Sequence, residues 1–252
     1  MITKVTITGA DDSIDPIELL KISDRFPFVE WGILISAKKH PTRFPSTEWL
    51  DNLGFEFYDC FPQQGYHFSL HVCGRWVRDF LATGSDDFIK HLGQDCFDIF
   101  ERIQLNTHGE RHEFSSRFLD RIYENSDRQF IFQQDRVNKE ILDLVTAAEL
   151  TNIAALFDLS HGAGLLPAEW PDLIPNIKCG YAGGLSPENL AQQIVMIEQK
   201  AGDKEIWIDM ESHVRSNMDK VFDLQKVERC LQIAEPFIKP STDRTRERII
   251  GG

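Results

Sequence analysis

The sequence has few of the features that mark several classes of protein. It contains five cysteines in 252 residues, none of them in a Cys-x-x-Cys spacing, so neither a disulfide framework nor a zinc knuckle is indicated. It lacks the positively charged start and apolar core of a signal peptide, and no apolar run approaches the length of a membrane span. These absences predict a cytoplasmic protein that has no membrane partner.

Positive charge and flexible linkers are also scarce. The chain has 27 Lys and Arg against 40 Asp and Glu, a formal net charge of −13. Nucleic acids attract basic surfaces, so this balance predicts no nucleic-acid partner, although an anionic small molecule could bind in a locally positive pocket. No Pro/Gly/Ser-rich segment divides the chain, so residues 1–240 are predicted to form one domain and residues 241–252 a C-terminal tail.

What the chain does have is a regular alternation of apolar strand segments and amphipathic helical segments. The predicted strands are Lys4–Thr8, Phe28–Ser36, His67–Cys73, Ile103–Asn106, Phe130–Gln133, Ile153–Asp158, Ile177–Ala182 and Ile206–Met210. Eight strand–helix units in 252 residues match a (β/α)₈ TIM barrel, in which parallel strands are surrounded by helices. An open doubly wound sheet is the alternative, but Gly9–Asp12 is not the Gly-x-Gly-x-x-Gly turn that usually follows its first strand.

Helix starts are visible in several places. Asp15 precedes Pro16 and Ser46 precedes an apolar periodic segment, so both are predicted N-caps. A helix is also predicted over His112–Tyr123. After the seventh strand, Gly183 and Gly184 lead into a helix that Ser186 is predicted to cap. This glycine pair is either a tight turn or a loop whose amides approach a phosphate, and the pattern alone does not decide between them.

In a TIM barrel the active site lies at the C-terminal ends of the strands. The polar residues predicted at that mouth are Thr8, Ser36, His71, Cys73, Gln104, Asn106, His108, Gln133, Asp135, Asp158, His161, Tyr181, Asp209, Glu211 and His213. Among them Asp158 ends an apolar strand, where burial would suit it to donate a proton, although it could instead cap its own loop.

Two sets of residues have the chemistry of metal ligands. His71 and Cys73 share one strand face and Cys179 could complete a zinc site, but Cys179 stands early in its strand, deep in the barrel or toward its bottom. Asp209, Glu211 and His213 alternate as hard-metal ligands would, but the strand ends near Met210. No metal and no other cofactor is therefore predicted.

Several segments, in order along nearly the whole chain, resemble phosphoribosylanthranilate isomerase, a (β/α)₈ enzyme of tryptophan biosynthesis. The most specific is Ala182–Asn189, which is similar to the family's Ser-Gly-Gly-Leu-x-Pro-Glu-Asn. The other segments that resemble family motifs are Lys4–Gly9, Pro41–Ser46, Gln104–Glu110, Leu156–Asp158, Gly162 to Trp170, and Ile208–Val214.

The resemblance implies roles for particular residues. Asp158 takes the position of the general acid, Arg43 that of the partner of a substrate carboxylate, and Thr8 that of the cysteine base. Further substrate-binding positions, several of them in the phosphate-binding loops, are Gln104, His71, Gly162, Gly164, Gly183, Gly184 and Ser212. The ligand implied is a small phosphorylated or carboxylated metabolite, and the oligomeric state is not indicated.

Three departures from the family pattern affect its reaction. Thr8 replaces the base, and an aliphatic hydroxyl stays protonated at neutral pH unless another group activates it. Glu211 stands where the family has serine and His213 where it has glycine, although Arg215 could compensate for the added negative charge. The sequence therefore supports an isomerase-like barrel, with two alternatives: a non-catalytic metabolite-binding or regulatory barrel, and a metal-dependent lyase or hydrolase.

Overall fold

The computed structural model describes residues 1–40, 42–60, 65–107, 112–134, 139–158 and 164–241. Five of the features predicted above lie outside the described residues. They are His108, Asp135, His161, Gly162 and residues 242–252 of the tail.

Eight parallel strands close into a barrel in chain order, and β8 is hydrogen-bonded back to β1. The strands are β1 (Ile2–Thr8), β2 (Val29–Ser36), β3 (His67–Cys73), β4 (Arg102–Asn106), β5 (Gln129–Gln134), β6 (Ile153–Asp158), β7 (Lys178–Ala182) and β8 (Ile206–Met210). This architecture confirms the predicted TIM barrel. After β8 the chain forms a small antiparallel hairpin of β9 (Arg215–Ser216) and β10 (Val221–Phe222).

Helices surround the barrel. In the described part of the chain they are α1 (Pro16–Arg25), α2 (Thr47–Phe55), α3 (Arg75–Thr83), α4 (Asp87–Leu92), α5 (Gln94–Asp98), α6 (Ser116–Glu124), α7 (Lys139–Ala147), α8 (Leu190–Ala201) and α9 (Leu224–Ala234). A π-helical turn, Glu56–Cys60, follows α2, and 3₁₀ turns occur at Ser212–Val214 and Glu235–Phe237. Among the described residues there is no helix whose length and apolar character would let it cross a membrane.

Two of the predicted N-cap residues accept the expected hydrogen bond from an amide in the first turn of their helix. The Asp15 carboxylate accepts from the Ile17 amide at 3.1 Å and the Ser46 hydroxyl from the Trp49 amide at 3.2 Å, which confirms both caps. Ser186 accepts from the Glu188 amide at 3.3 Å, but regular helix begins only at Leu190. The helix predicted to begin at His112 begins at Ser116, so the predicted start was wrong by about one turn.

Most of the hydrophobic core lies between the barrel and its helices. A second, small cluster fills the barrel itself and consists of Ile131, Ala154, Leu156 and Trp207, with Ala182 packed against it. Gly180 makes room for the indole, because a Cβ at this position would lie 2.1 Å from the Trp207 ring.

Strand β7 corrects two expectations. Side chains alternate along a strand, and Gly180 faces the barrel interior, so Cys179 and Tyr181 both point outward. Both belong to the outer core, and the Tyr181 hydroxyl donates to the Pro171 carbonyl at 2.9 Å. Tyr181 is therefore not at the mouth of the barrel, and Cys179 cannot join His71 and Cys73 on the inner wall.

Charged residues fill the N-terminal end of the barrel. Glu30 is fully buried and forms an ion pair with Arg102 at 2.8 Å, and it accepts a hydrogen bond from Thr6 at 2.8 Å. The Arg102 guanidinium also lies over the Trp207 ring, 4.1 Å from its centroid. Arg102 thus joins this ionic layer to the apolar cluster that contains Trp207.

Candidate active site

A cavity opens at the C-terminal ends of β6, β7 and β8. It is lined by Gln104, Gln133, Leu156, Asp158, Gly164, Ala182, Gly183, Gly184, Leu185, Asp209, Met210, Glu211, Ser212 and His213. Its free volume of about 40 Å³ is enough for a few water molecules. The cavity lies where TIM-barrel enzymes carry their chemistry.

The glycine turn after β7 forms one wall of this cavity. Gly183 and Gly184 both have positive φ, 112° and 67°, which disfavours any other residue there. Gly184 also has a packing reason to be glycine, since a Cβ would lie 2.3 Å from the Leu166 amide nitrogen. Asp158 lines the same cavity, so the predicted proton donor and the glycine turn lie together.

The turns after β6 and β8 meet beside the glycine pair. The His213 ring nitrogen Nε2 lies 2.9 Å from the Gly164 carbonyl oxygen. A Cβ on Gly164 would lie 3.0 Å from that of Ser212. Gly164, Ser212 and His213 all line the cavity, so the turns after β6 and β8 together form this part of its wall.

Asp209 is a buried carboxyl group with perturbed acidity at this end of the barrel. Burial raises its pKa well above the ordinary value, and the carboxylates of Glu211, Glu30 and Asp158 raise it further. A hydrogen bond from the Thr8 hydroxyl to Asp209 Oδ1, 2.8 Å long, opposes this rise without cancelling it. A carboxylic acid kept protonated in a cavity can donate a proton or a hydrogen bond to a ligand.

Thr8 lies beneath the cavity instead of lining it. Its side chain is 1% exposed, and its hydroxyl hydrogen is committed to Asp209. Thr8 therefore contacts the cavity only through Asp209.

Arg43 belongs to an ionic cluster at the edge of the mouth. Its guanidinium pairs with Glu211 and, at 2.7 Å, with Asp219. The fully buried guanidinium of Arg215 pairs with Asp11 at 2.6 Å and with Asp219 at 3.0 Å. Arg43 does not line the cavity, and it reaches it only through Glu211.

His71 is buried on the inner wall, behind Gln104. Its Nδ1 lies 3.2 Å from Gln104 Nε2, and burial lowers the pKa of His71 to about 3. The imidazole is therefore neutral at physiological pH. Gln104 itself lines the cavity, so His71 influences the site through this neighbour.

The structure thus groups the predicted site residues unequally. Asp158, Gln104, Gly164, Gly183, Gly184 and Ser212 line one cavity, Thr8 and His71 lie behind it, and Arg43 lies to its side. Asp209 was predicted at the mouth, but not as a proton donor. The signal was available, because Asp209 is next to the last residue of an apolar strand, much as Asp158 is the last residue of another.

The described residues include no group of three or more His, Cys, Asp or Glu side chains arranged to hold a metal ion. Asp158, Asp209 and Glu211 all line the cavity, yet they do not form such a group.

Comparisons with known proteins support the architecture. No protein-family model matches the sequence, and no curated protein matches it. Among solved structures, phospho-2-dehydro-3-deoxyheptonate aldolase (DAHP synthase) from Thermotoga maritima is similar, with a TM-score of 0.58 and 10% identity over 95% of this chain and 72% of that chain. A structure described as native KDPGal has a TM-score of 0.48 and 17% identity, covering 92% of this chain and 91% of that one.

The similarity to the DAHP synthase structure shows the TIM-barrel fold. Neither structure is a phosphoribosylanthranilate isomerase, so the resemblance to that family remains a hypothesis drawn from sequence.

Proposed function

We propose that this barrel is an acid–base enzyme of the phosphoribosylanthranilate isomerase type that acts on a small phosphorylated metabolite. The observation that carries the proposal is that Asp158 and Asp209 line the same cavity as the turn Gly183–Gly184 and Ser212. The ends of β6 and β8 supply carboxyl groups for proton transfer, and the turn after β7, which lies between them, supplies backbone that can approach a bound ligand.

The phosphate belongs at the glycine side. The loops after the seventh and eighth strands hold phosphate in many TIM barrels, and an uncharged glycine backbone allows close approach to its amides. Asp158 flanks this turn, since it pairs with Ala182 in the sheet, and Glu211 adjoins Ser212, so the backbone amides must offset the charge of two carboxylates for an anion to bind there. The similar aldolase is named for a phosphorylated compound, which agrees with a phosphorylated ligand here.

The present cavity is too small for a sugar phosphate. Its free volume of about 40 Å³ accommodates water, whereas ligand pockets usually measure about 300–1,000 Å³. Binding of a sugar phosphate therefore requires the cavity to widen, and the segment containing Leu165 and Leu166 packs directly on its wall at Gly184.

The proton chemistry differs from that of the family in one respect. Asp158 keeps the position of the acid, but Thr8 donates its hydrogen bond to Asp209 and is not itself a base. Burial raises the pKa of Asp209, which lines the cavity, so Asp209 is suited to donate a proton and Asp158 takes the accepting role, the reverse of the arrangement in the family. The pair Asp158 and Asp209 then provides both an acid and a base.

Turnover of phosphoribosylanthranilate tests the specific version of this proposal. Complementation of an isomerase-deficient strain and an assay of the purified protein should both succeed, and Asp158→Asn and Asp209→Asn should each lower kcat by about 100-fold or more. Inorganic phosphate should bind the wild-type protein and protect it against thermal unfolding. Folded protein that neither complements nor binds phosphate would rule the proposal out.

A non-catalytic, metabolite-binding barrel is the second candidate. It is favoured by the commitment of the Thr8 hydroxyl to Asp209, which leaves the position of the family's base without a group that can accept a proton. In that case Asp158→Asn would leave ligand affinity unchanged, and the wild-type protein would show no turnover.

A further inference from the structure

The inner wall of β3 and β4 contains buried polar atoms that no protein group satisfies. Within the described residues, Ser69 Oγ, His71 Nε2 and Gln104 Oε1 have no hydrogen-bond partner, and these three side chains are at most 3% exposed. Buried polar groups are almost always hydrogen-bonded, so such atoms point to a bound molecule. Of the three residues, only Gln104 also lines the mouth cavity.

Gln104 stands in a ladder of side chains that runs along both strands. His71 pairs with Gln104 across the strands, and Cys73 pairs with Asn106. Gln104 Nε2 donates to Asn106 Oδ1 at 2.9 Å and lies 3.2 Å from His71 Nδ1, while Asn106 Nδ2 donates to Cys73 Sγ at 3.2 Å. Both amide hydrogens of Gln104 are therefore committed to the wall of the barrel.

We infer that this ladder fixes the Gln104 amide so that its carbonyl oxygen serves the cavity as an acceptor for a hydroxyl or N–H group of the ligand. The inference rests on the proposed function and makes its substrate class narrower: a phosphorylated molecule with a donor group at some distance from its phosphate. His71 is a positioning residue, since it acts through Gln104.

The ring nitrogen of His71 that carries the proton decides whether the oxygen or the nitrogen of the Gln104 amide faces the cavity. A neutral imidazole has one N–H, and the contact with Gln104 Nε2 requires Nδ1 to be the acceptor, so the proton is on Nε2. The opposite tautomer would donate from Nδ1 to Gln104 and turn the amide N–H₂ toward the cavity, where it would select an acceptor instead of a donor. The two directions thus predict ligands of opposite hydrogen-bonding character.

Two probes separate this contact from phosphate binding. Ribose 5-phosphate carries hydroxyl donors and inorganic phosphate lacks a sugar, so their Kd values are compared by calorimetry for wild type, Gln104→Leu and Gln192→Leu. Gln192, on the exposed surface of α8, is the control for the same chemical change. Gln104→Leu should raise the Kd for ribose 5-phosphate about 10-fold and change the Kd for inorganic phosphate by no more than about twofold. The control variant should change neither Kd.

His71 is tested by its tautomer and by rescue. The ¹⁵N signals of the wild-type imidazole should show a protonated Nε2 and an accepting Nδ1. His71→Leu should lower the affinity for ribose 5-phosphate as much as Gln104→Leu does. His71→Asn keeps an oxygen near the position of Nδ1, so this variant should retain most of the affinity. If the leucine variant does not fold, the asparagine variant and the tautomer still test the inference.

Three results would overturn the inference: a protonated Nδ1, an equal effect of Gln104→Leu on both probes, or no effect on either. If neither probe binds the wild-type protein, the proposed function fails. The imidazole signals then decide by themselves whether the ladder has the inferred direction.

Discussion

Replacement of Arg102 by leucine should destabilise the protein far more than the loss of a surface arginine. Arg102 and Glu30 form an ion pair of 2.8 Å inside the barrel, with side chains that are 6% and 0% exposed. Lys4 lies 3.5 Å from the other oxygen of Glu30. The leucine variant therefore leaves a buried carboxylate with a single, more distant cation.

The size of the effect follows from the acidity of Glu30. Burial by itself would raise its pKa, but the charges of Arg102 and Lys4 outweigh burial and hold the pKa at about 2. Compared with an ordinary glutamate pKa of about 4.3, this corresponds to about 3 kcal/mol of stability at neutral pH. Removal of one partner from a buried pair typically costs about 3–5 kcal/mol, so both arguments give a similar loss.

The pH dependence has a definite sign. Because the pKa of Glu30 is lower in the folded state than in the unfolded chain, its stabilisation is present above about pH 4.3 and is lost as the pH falls toward 2. Glu30→Gln should therefore flatten the stability profile between these values and leave its shape near pH 7 unchanged.

Urea unfolding at pH 7 measures the effect. Arg25→Leu is the matched control, because Arg25 pairs with Glu228 on the surface and should cost at most about 1 kcal/mol. The double variant Glu30→Met with Arg102→Met removes both charges and should recover much of the loss. A cost for Arg102→Leu no larger than for Arg25→Leu, or a double variant that is less stable than Arg102→Leu, would refute the reasoning.

Three further predictions use other parts of the barrel. Gly180→Ala places a Cβ 2.1 Å from the Trp207 ring and should lower the unfolding free energy by about 1–3 kcal/mol or more, as measured by urea titration. Asp209 has a raised pKa in the folded state, so wild-type stability should fall as pH rises above about 4, and Asp209→Asn should remove this slope in melting curves recorded from pH 5 to 8. Burial raises the pKa of three thiols to about 12 and also raises the pKa of a fourth. At pH 8 all four should therefore react with iodoacetamide much more slowly in the native than in the unfolded protein. Peptide mapping of the alkylated protein measures this difference. These thiols are Cys73, Cys96 and Cys230, and, as the fourth, Cys179.

The fold could be predicted from the sequence because the patterns that indicate its strands and helix starts involve residues close together in the chain. Apolar strands bounded by glycine or by polar turns repeat eight times, and the caps at Asp15 and Ser46 bond to amides two and three residues away. The direction of individual side chains was less accessible. Tyr181 was placed at the mouth because it ends a strand, but Gly180 must face inward beside Trp207, and alternation then turns Tyr181 outward.

The candidate site was accessible only in part. The cavity brings Asp158 together with Gly183 and Gly184 because the strand ends of a closed barrel converge. The distribution of charge among the mouth residues depends on contacts between distant segments, which the sequence does not show. Arg43, for example, pairs with Glu211 and Asp219, which are more than 160 positions away.

The two ends of the barrel interior differ in a way that stability alone does not explain. At the N-terminal end the buried charges of Glu30 and Arg102 are paired with each other. Toward the mouth, burial and the neighbouring carboxylates raise the pKa of Asp209, the opposite of the lowered pKa of Glu30. Apolar side chains would fill this space at lower cost, as they do in the cluster around Trp207. Because local rules of stability are broken mainly where a protein has another task, this asymmetry is an independent reason to place the function at the mouth.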